Sequence, residues 1–159
     1  MVITVNDESR KLKRDFKCKR VMLLNHMRYF EQYLKEDKSG DQLDISVHCD
    51  VKIFEWLMKY VDYFQNVAVY GNIIQLYKVN YQIVTTDNLP GTVNIRAPEL
   101  DQKTCISIFI SADFLKIEKL LKETSQYICN NLTEILALPI DMNCINDKLL
   151  RLLASTVTL

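Results

Sequence analysis

Hydrophobic residues change their spacing near residue 19 of this chain, and that change determines the class of fold. Residues 2–5 are mostly β-branched, residues 6–9 are typical of a turn, and residues 12–18 alternate between apolar and charged side chains. From residue 20 to residue 34 apolar side chains instead recur every three or four positions, which is the period of a helix. We therefore predict a continuous helix after a β-hairpin whose buried face carries Leu12, Phe16 and Cys18.

A third strand and a second helix are predicted between residues 43 and 61. Leu43, Ile45 and Val47 alternate with polar residues, as in a strand with one buried face. Asp50 then stands where its carboxylate can cap the first turn of a helix. That helix is predicted from a continuous apolar stripe formed by Ile53, Trp56, Leu57, Tyr60 and Val61.

The middle of the chain, residues 62–104, breaks the helical pattern and is predicted to be a β-rich insertion. Residues 67–70 and 77–83 are predicted to pair as the strands of a hairpin, because the second segment alternates and Gly71 with Asn72 lies between them. A loop is predicted to follow this hairpin.

The last third of the chain is predicted to be helical. Apolar stripes predict three helices, at residues 105–112, 116–136 and 146–154. Pro139 ends the second of them. The elements together predict one domain at residues 1–137, with the insertion inside it, and a C-terminal helical extension at residues 138–159.

The charge balance excludes a general attraction of the chain to nucleic acid or to an anionic membrane, because 20 basic and 20 acidic side chains cancel. One local basic cluster lies within residues 10–20. It contains Arg10, Lys11, Lys13, Arg14, Lys17, Lys19 and Arg20. A cluster of this density could contact phosphates, but the same residues form the outer strand of the predicted hairpin, where solvated lysines protect an edge from aggregation. We favour the second interpretation.

No constellation of side chains in the sequence predicts catalysis. His48 and Cys49 are neighbours, but successive residues of a strand point to opposite faces, so they are not placed to form a catalytic pair. His26 lies in the first predicted helix without a predictable partner. The five cysteines are widely spaced and include no CxxC pair, which predicts reduced thiols in an intracellular protein and no zinc site. We therefore predict no catalytic residue, no metal and no cofactor.

Three segments carry a resemblance to a known family. They are FKCKRVMLLNHMRYFEQYL at residues 16–34, LDISVHCDVKIFEWLMKYV at residues 43–61 and ISADFLKIEKLLKETSQYI at residues 110–128. These segments resemble the BTB/POZ family, an α+β fold in which a helical cluster packs on a small three-stranded sheet. The family's typical core positions match Phe16, Leu23, Tyr29, Phe30, Phe54, Ala112 and Leu115.

Within that family, one group is the most similar. The phrases VNDESRKLKRDF, MRYFEQYL, DISVHCDVKIFEWLMKYV and MNCIN resemble the BTB domains of regulators of immunoglobulin class switching. The resemblance implies a non-catalytic interaction module that forms homodimers, resides in the nucleus, and recruits co-repressor or histone deacetylase complexes to chromatin. A cullin-3 ubiquitin ligase adaptor is the less favoured alternative within the same fold.

The dimer interface is predicted on the first helix and the neighbouring edge of the sheet. Residues of the first helix that lie off its buried stripe leave apolar area that a two-fold interface could bury. The resemblance adds the first strand, together with the basic residue of a charged pocket at the family's dimer groove. The predicted interface residues are Val2, Ile3, Arg20, Met22, Leu24 and Asn25.

Overall fold

The computed structural model describes residues 1–34, 44–80 and 97–157, which form one small sheet and a larger set of helices. This arrangement confirms the predicted class, a mixed fold in which helices accompany a three-stranded sheet. No helix in these three ranges is both long enough and apolar enough to cross a membrane.

The N-terminal hairpin forms as predicted. Strand β1, Val2–Asp7, pairs antiparallel with strand β2, Leu12–Lys17. Strand β3, Asp44–His48, pairs parallel with β1 on its other side, so the order across the sheet is β2-β1-β3. The residues that the sheet buries against the helices are Ile3, Val5, Ile45 and Val47.

The predicted continuous helix at residues 20–34 is instead three short elements. Helix α1 spans Arg20–His26, a 3₁₀ turn spans Arg28–Phe30, and helix α2 spans Glu31–Leu34. The break is at Met27, whose φ of −125° and ψ of 79° lie outside the helical region. The reason is tertiary, because the Tyr29 N–H donates to the Leu115 carbonyl, 3.2 Å away, and not to the preceding helical turn.

Helix α3 spans Val51–Asn80 and begins where the sequence predicts. The Asp50 carboxylate accepts hydrogen bonds from the backbone N–H groups of Lys52 and Ile53, at 2.7 and 3.2 Å, and so caps the helix. Trp56, within the predicted stripe, is half-buried. The buried residues of this face are Ile53, Phe54, Leu57, Tyr60 and Val61.

The predicted β-rich insertion is wrong over residues 62–80, whose backbone continues α3. Gly71 lies inside this helix and not at a hairpin turn. A glycine within a helix costs only about 1 kcal/mol relative to alanine, and residues 51–80 contain no proline that would end the helix. Residues 81–83 of the predicted second strand lie outside the described residues.

The C-terminal part is helical as predicted, but its longest predicted helix is divided. The elements are α4, Cys105–Phe114; α5, Glu118–Asn130; α6, Leu132–Leu136; a 3₁₀ turn, Met142–Cys144; and α7, Asp147–Val157. Asn131 separates α5 from α6, with a φ of −121° and a side chain that donates to the Tyr127 carbonyl at 2.8 Å. Leu132, directly after this break, is exposed, whereas Ile135 is buried.

Two hydrophobic clusters hold these elements together. The larger cluster joins the inner face of the sheet to α1, α2, α3 and one side of α4 and α5. The smaller cluster consists of Cys105, Ile106, Phe109, Ile128, Ile135, Ile145 and Leu149. Since α4 and α5 contribute to both clusters, they connect the N-terminal sheet to the C-terminal helices.

Candidate interaction surfaces

The described ranges contain no group of three or more His, Cys, Asp and Glu side chains that could hold a metal ion. His48 lies at the surface, with Nδ1 3.0 Å from the Glu8 carboxylate. Cys49 is half-buried, and burial, together with the nearby charges of Asp50 and Asp7, raises the pKa of its thiol to about 11. A thiol with that pKa is protonated at neutral pH and is a poor nucleophile. The candidate sites of this chain are therefore surfaces.

The first strand does not present the interface that the sequence predicts. Ile3 is fully buried under the helices, which removes it from the predicted interface and places it in the core. Val2 is half-buried, and because neighbouring strand residues face opposite ways, it lies on the outer face of the sheet. Thr4 and Asn6 share that outer face, where their side chains hydrogen-bond to neighbouring strands. The outer face is therefore polar beyond Val2.

Helix α1 divides the remaining predicted residues between the core and the surface. Met22 is buried, so it too belongs to the core. Helix α1 has only seven residues and ends before Met27, and both Met22 and Leu23 face inward. Arg20 is half-buried and its guanidinium donates to the Leu34 carbonyl, which joins the start of α1 to the end of α2. Leu24 is half-buried and packs against the core, and Asn25 is exposed.

Val21 is a surface residue that the sequence analysis missed. Its side chain is 59% exposed, although the helical period places it on the buried stripe. Val21, Leu24 and Asn25 are three and four positions apart and share one face of α1, which we call the α1 face. No pattern in the sequence distinguishes Val21 from the buried residues of this segment.

Strand β2 is an edge strand of the sheet. The basic residues within it and beside it, at positions 10–19, fall into two groups. The Arg10 guanidinium lies 2.5 Å from the carboxylate of Asp50, the residue that caps α3, and the Arg14 guanidinium lies 2.6 Å from that of Glu55. Both ion pairs therefore connect the hairpin to α3. The other group is exposed and forms no ion pair with the described residues; it comprises Lys11, Lys13, Lys17 and Lys19. Leu12, predicted on the buried face, is 48% exposed; it pairs with Asp7 at the turn end of the hairpin, on the edge strand of the sheet.

A third surface lies between α3 and α5, where residues 97–100 cross between them. It is an open cavity of about 400 Å³. Its aromatic walls come from Trp56, Tyr60, Tyr63, Phe64 and Tyr127, and the rest of its lining is Ala97, Pro98, Glu99, Leu100, Leu120 and Glu123. We call this surface the aromatic groove. The sequence analysis did not find it, because its residues belong to three separate segments.

Comparison with known protein families considers most of the chain at once. The family described as "SANT and BTB domain regulator of CSR, BTB domain" matches residues 1–125, which is more than three quarters of the chain. The chain belongs to this BTB-domain family. No solved structure matches the chain. BTB domains are in general non-catalytic interaction modules that commonly self-associate and bind partners, so this chain is a protein-interaction module.

The BTB domain buries most of the core positions that the resemblance identifies. Leu23, Phe30, Phe54, Ala112 and Leu115 are buried in the larger cluster. The two remaining positions, Phe16 and Tyr29, are half-buried and pack against it.

Two ring contacts explain why the half-buried positions are aromatic. The Phe16 ring meets the Phe54 ring edge to face, with centroids 5.0 Å apart. The Tyr29 ring packs on Phe114 of α4, with centroids 4.6 Å apart. Each position therefore closes the edge of the core against a helix that comes much later in the chain.

Proposed function

We propose that this BTB domain forms homodimers through the α1 face and, as a dimer, recruits co-repressor or histone deacetylase complexes in the nucleus. The single observation that carries the first part is Val21, an aliphatic side chain 59% exposed on a helix next to half-buried Leu24. Family membership supports the second part, since BTB domains commonly self-associate and bind partners.

The α1 face suits a two-fold interface. In such an interface the same patch of each subunit meets its copy, so Val21 of one subunit can pack against α1 of the other. Asn25, at the edge of the face, offers a polar side chain for the rim of the contact. Of the exposed lysines that form no ion pair with the described residues, Lys11, Lys13 and Lys17 belong to the hairpin and not to α1.

Sedimentation velocity of the intact chain tests the dimer. The subunit has a mass of 18.6 kDa, and we expect a species of twice that mass at micromolar concentration. A single species of 18.6 kDa up to about 100 µM, a concentration at which even weak specific contacts are populated, would contradict the proposal.

Affinity capture from nuclear extract tests recruitment. We expect mass spectrometry to identify histone deacetylase subunits with the wild-type chain, and the captured material to have deacetylase activity. A variant that remains monomeric should lose both, if the partner recognises the dimer. Capture of cullin-3 without deacetylase subunits would instead favour the ubiquitin ligase adaptor.

A further inference from the structure

The aromatic groove has walls made of ring faces and ring edges. Trp56, Tyr60 and Phe64 are four positions apart on α3, so their rings follow one another along one face of the helix. The Trp56 and Tyr60 rings are nearly parallel, at 13° with centroids 5.6 Å apart, and Phe64 is tilted by 58° against Tyr60. Tyr127 of α5 and Pro98 line the same cavity. Tyr60 is buried, so the rings that a ligand can reach are those of half-buried Trp56, Phe64 and Tyr127, which offer it the negative faces of their π systems.

Two glutamates line the groove together with these rings. Glu123 accepts a hydrogen bond from the Tyr60 hydroxyl at 2.7 Å, and burial followed by this contact raises the pKa of Tyr60, so the hydroxyl stays a donor. Glu99 is exposed, and the indole N–H of Trp56 donates to its carbonyl oxygen at 3.2 Å. The first contact holds the Glu123 carboxylate beside the aromatic walls, where the side chain is 42% exposed, and the second holds the Glu99 backbone there.

The domain already places one of its own cations on this surface. The Lys119 Nζ lies 3.4 Å from the centroid of the Phe64 ring and 3.9 Å from the Glu123 carboxylate. The ammonium group is therefore held by a ring face and a carboxylate together, which is the combination that attracts a cation. The Lys119 side chain is itself 60% exposed, so an incoming cation can displace it without opening the core.

We propose that the aromatic groove binds an arginine side chain presented by an extended, basic segment of a partner protein. Aromatic faces and the Glu123 carboxylate both favour a positive ligand, and the Lys119 ammonium marks where on this surface such a group is held. Arginine fits better than lysine, because its planar guanidinium stacks on an aromatic ring face and donates in a fork to a carboxylate. The volume of about 400 Å³ accommodates the side chain and its immediate neighbours.

This inference goes beyond the proposed dimer and does not depend on it. The groove is formed by α3, α5 and residues 97–100, and the α1 face contributes no residue to it. A chain whose α1 face is altered, and which is monomeric, should therefore bind the arginine ligand as the wild type does. Failure of the dimer proposal and failure of this one are in that way separate results.

Titration of the intact chain with two short capped peptides tests the proposal. One contains a single arginine, and the other contains citrulline, which has the same shape without the charge. Trp56 is the only tryptophan of the chain, so its fluorescence reports on the groove directly. We expect saturable quenching by the arginine peptide and roughly tenfold weaker binding of the citrulline peptide. Equal binding of the two peptides, or no saturation by either, would overturn the proposal.

Three substitutions at exposed positions locate the site. Glu123→Gln should weaken binding of the arginine peptide roughly fivefold, whereas Glu134→Gln, on α6 and away from the groove, should leave it unchanged. Lys119→Gln should strengthen binding, because it removes the competing cation from Phe64. Circular dichroism checks that each variant is folded. The same affinity for all three variants would place the peptide elsewhere and reject the groove.

Discussion

The side-chain carboxylate of Asp7 accepts a hydrogen bond from the backbone N–H of Val51, 3.4 Å away and 44 positions later in the chain. The same carboxylate accepts from the Ser9 hydroxyl at 2.7 Å and from the Arg10 backbone N–H at 3.0 Å. Asp7 is buried, and it joins the turn of the hairpin to the first residue of α3. A single carboxylate thus couples the sheet to the longest helix.

Removing this carboxylate should destabilise the whole domain. Asp7→Ala leaves the N–H groups of Val51 and Arg10 without their partner at a buried position, and we expect the midpoint of thermal unfolding to fall by several degrees. Asp15→Ala, on the exposed outer face of the same hairpin, is the matched control and should change the midpoint much less. Equal effects of the two substitutions would show that Asp7 does not join the two elements.

The stability should also depend on pH through Asp7. The hydrogen bond from Ser9, ahead of those from the backbone, lowers the pKa of Asp7 below its ordinary value of 3.8. A lowered pKa in the folded state means that the stabilisation is present above pH 3.8 and is lost as the pH falls through the folded value. Urea unfolding between pH 5 and pH 2 should show this loss, and Asp7→Asn should show a smaller one. A variant with the same pH dependence as the wild type would contradict the assignment.

The ring contact between Phe54 and Phe16 predicts a large effect in the core. Phe54 is fully buried, and Phe54→Ala should cost about 3–5 kcal/mol of unfolding free energy, since it removes the ring and leaves a cavity. Leu12→Ala, at a residue 48% exposed on β2, should change the same quantity by less than about 0.5 kcal/mol. Chemical denaturation measures both. Similar costs for the two variants would place the core elsewhere.

The α1 face predicts a charge-sensitive dimer. Val21→Lys places one ammonium group from each subunit in the proposed interface. Because like charges repel each other, the dissociation constant of the dimer should rise at least about tenfold. Val157→Lys on α7 is a close control, because Val157 is 60% exposed and of the same residue type. Sedimentation at several concentrations distinguishes the two. If both variants dimerise as the wild type does, the interface does not include the α1 face.

The cysteines should react in an order set by burial. Burial raises the pKa of Cys49 and of Cys105 to about 11, whereas Cys144 is exposed. At pH 7.5 iodoacetamide should therefore label Cys144 first, and Cys49 and Cys105 last, because the thiolate is the reactive form. Peptide mass spectrometry at successive times measures the order. Early labelling of Cys105 would mean that the smaller hydrophobic cluster opens readily.

Much of the fold follows from local patterns in the sequence. The hairpin, the third strand, the cap at Asp50 and the stripe of α3 each depend on residues within one or two turns of each other. The pattern fails where a local signal is weak. Gly71 and the alternation after it predict a hairpin, but the helix that starts at Val51 continues through them at a cost of only about 1 kcal/mol for the glycine.

Sequence by itself determined the class of fold, the family and most of the core, because the spacing of apolar residues reflects the geometry of one helix or one strand. Tertiary structure decided which residues remain at the surface. Val21 is exposed and Met22 is buried within one short helix, which ends at Met27 before Tyr29 bonds to Leu115. The aromatic groove likewise needs three segments to meet. Contacts between residues far apart in the chain produce no periodic pattern in the sequence, and so only the folded molecule reveals them.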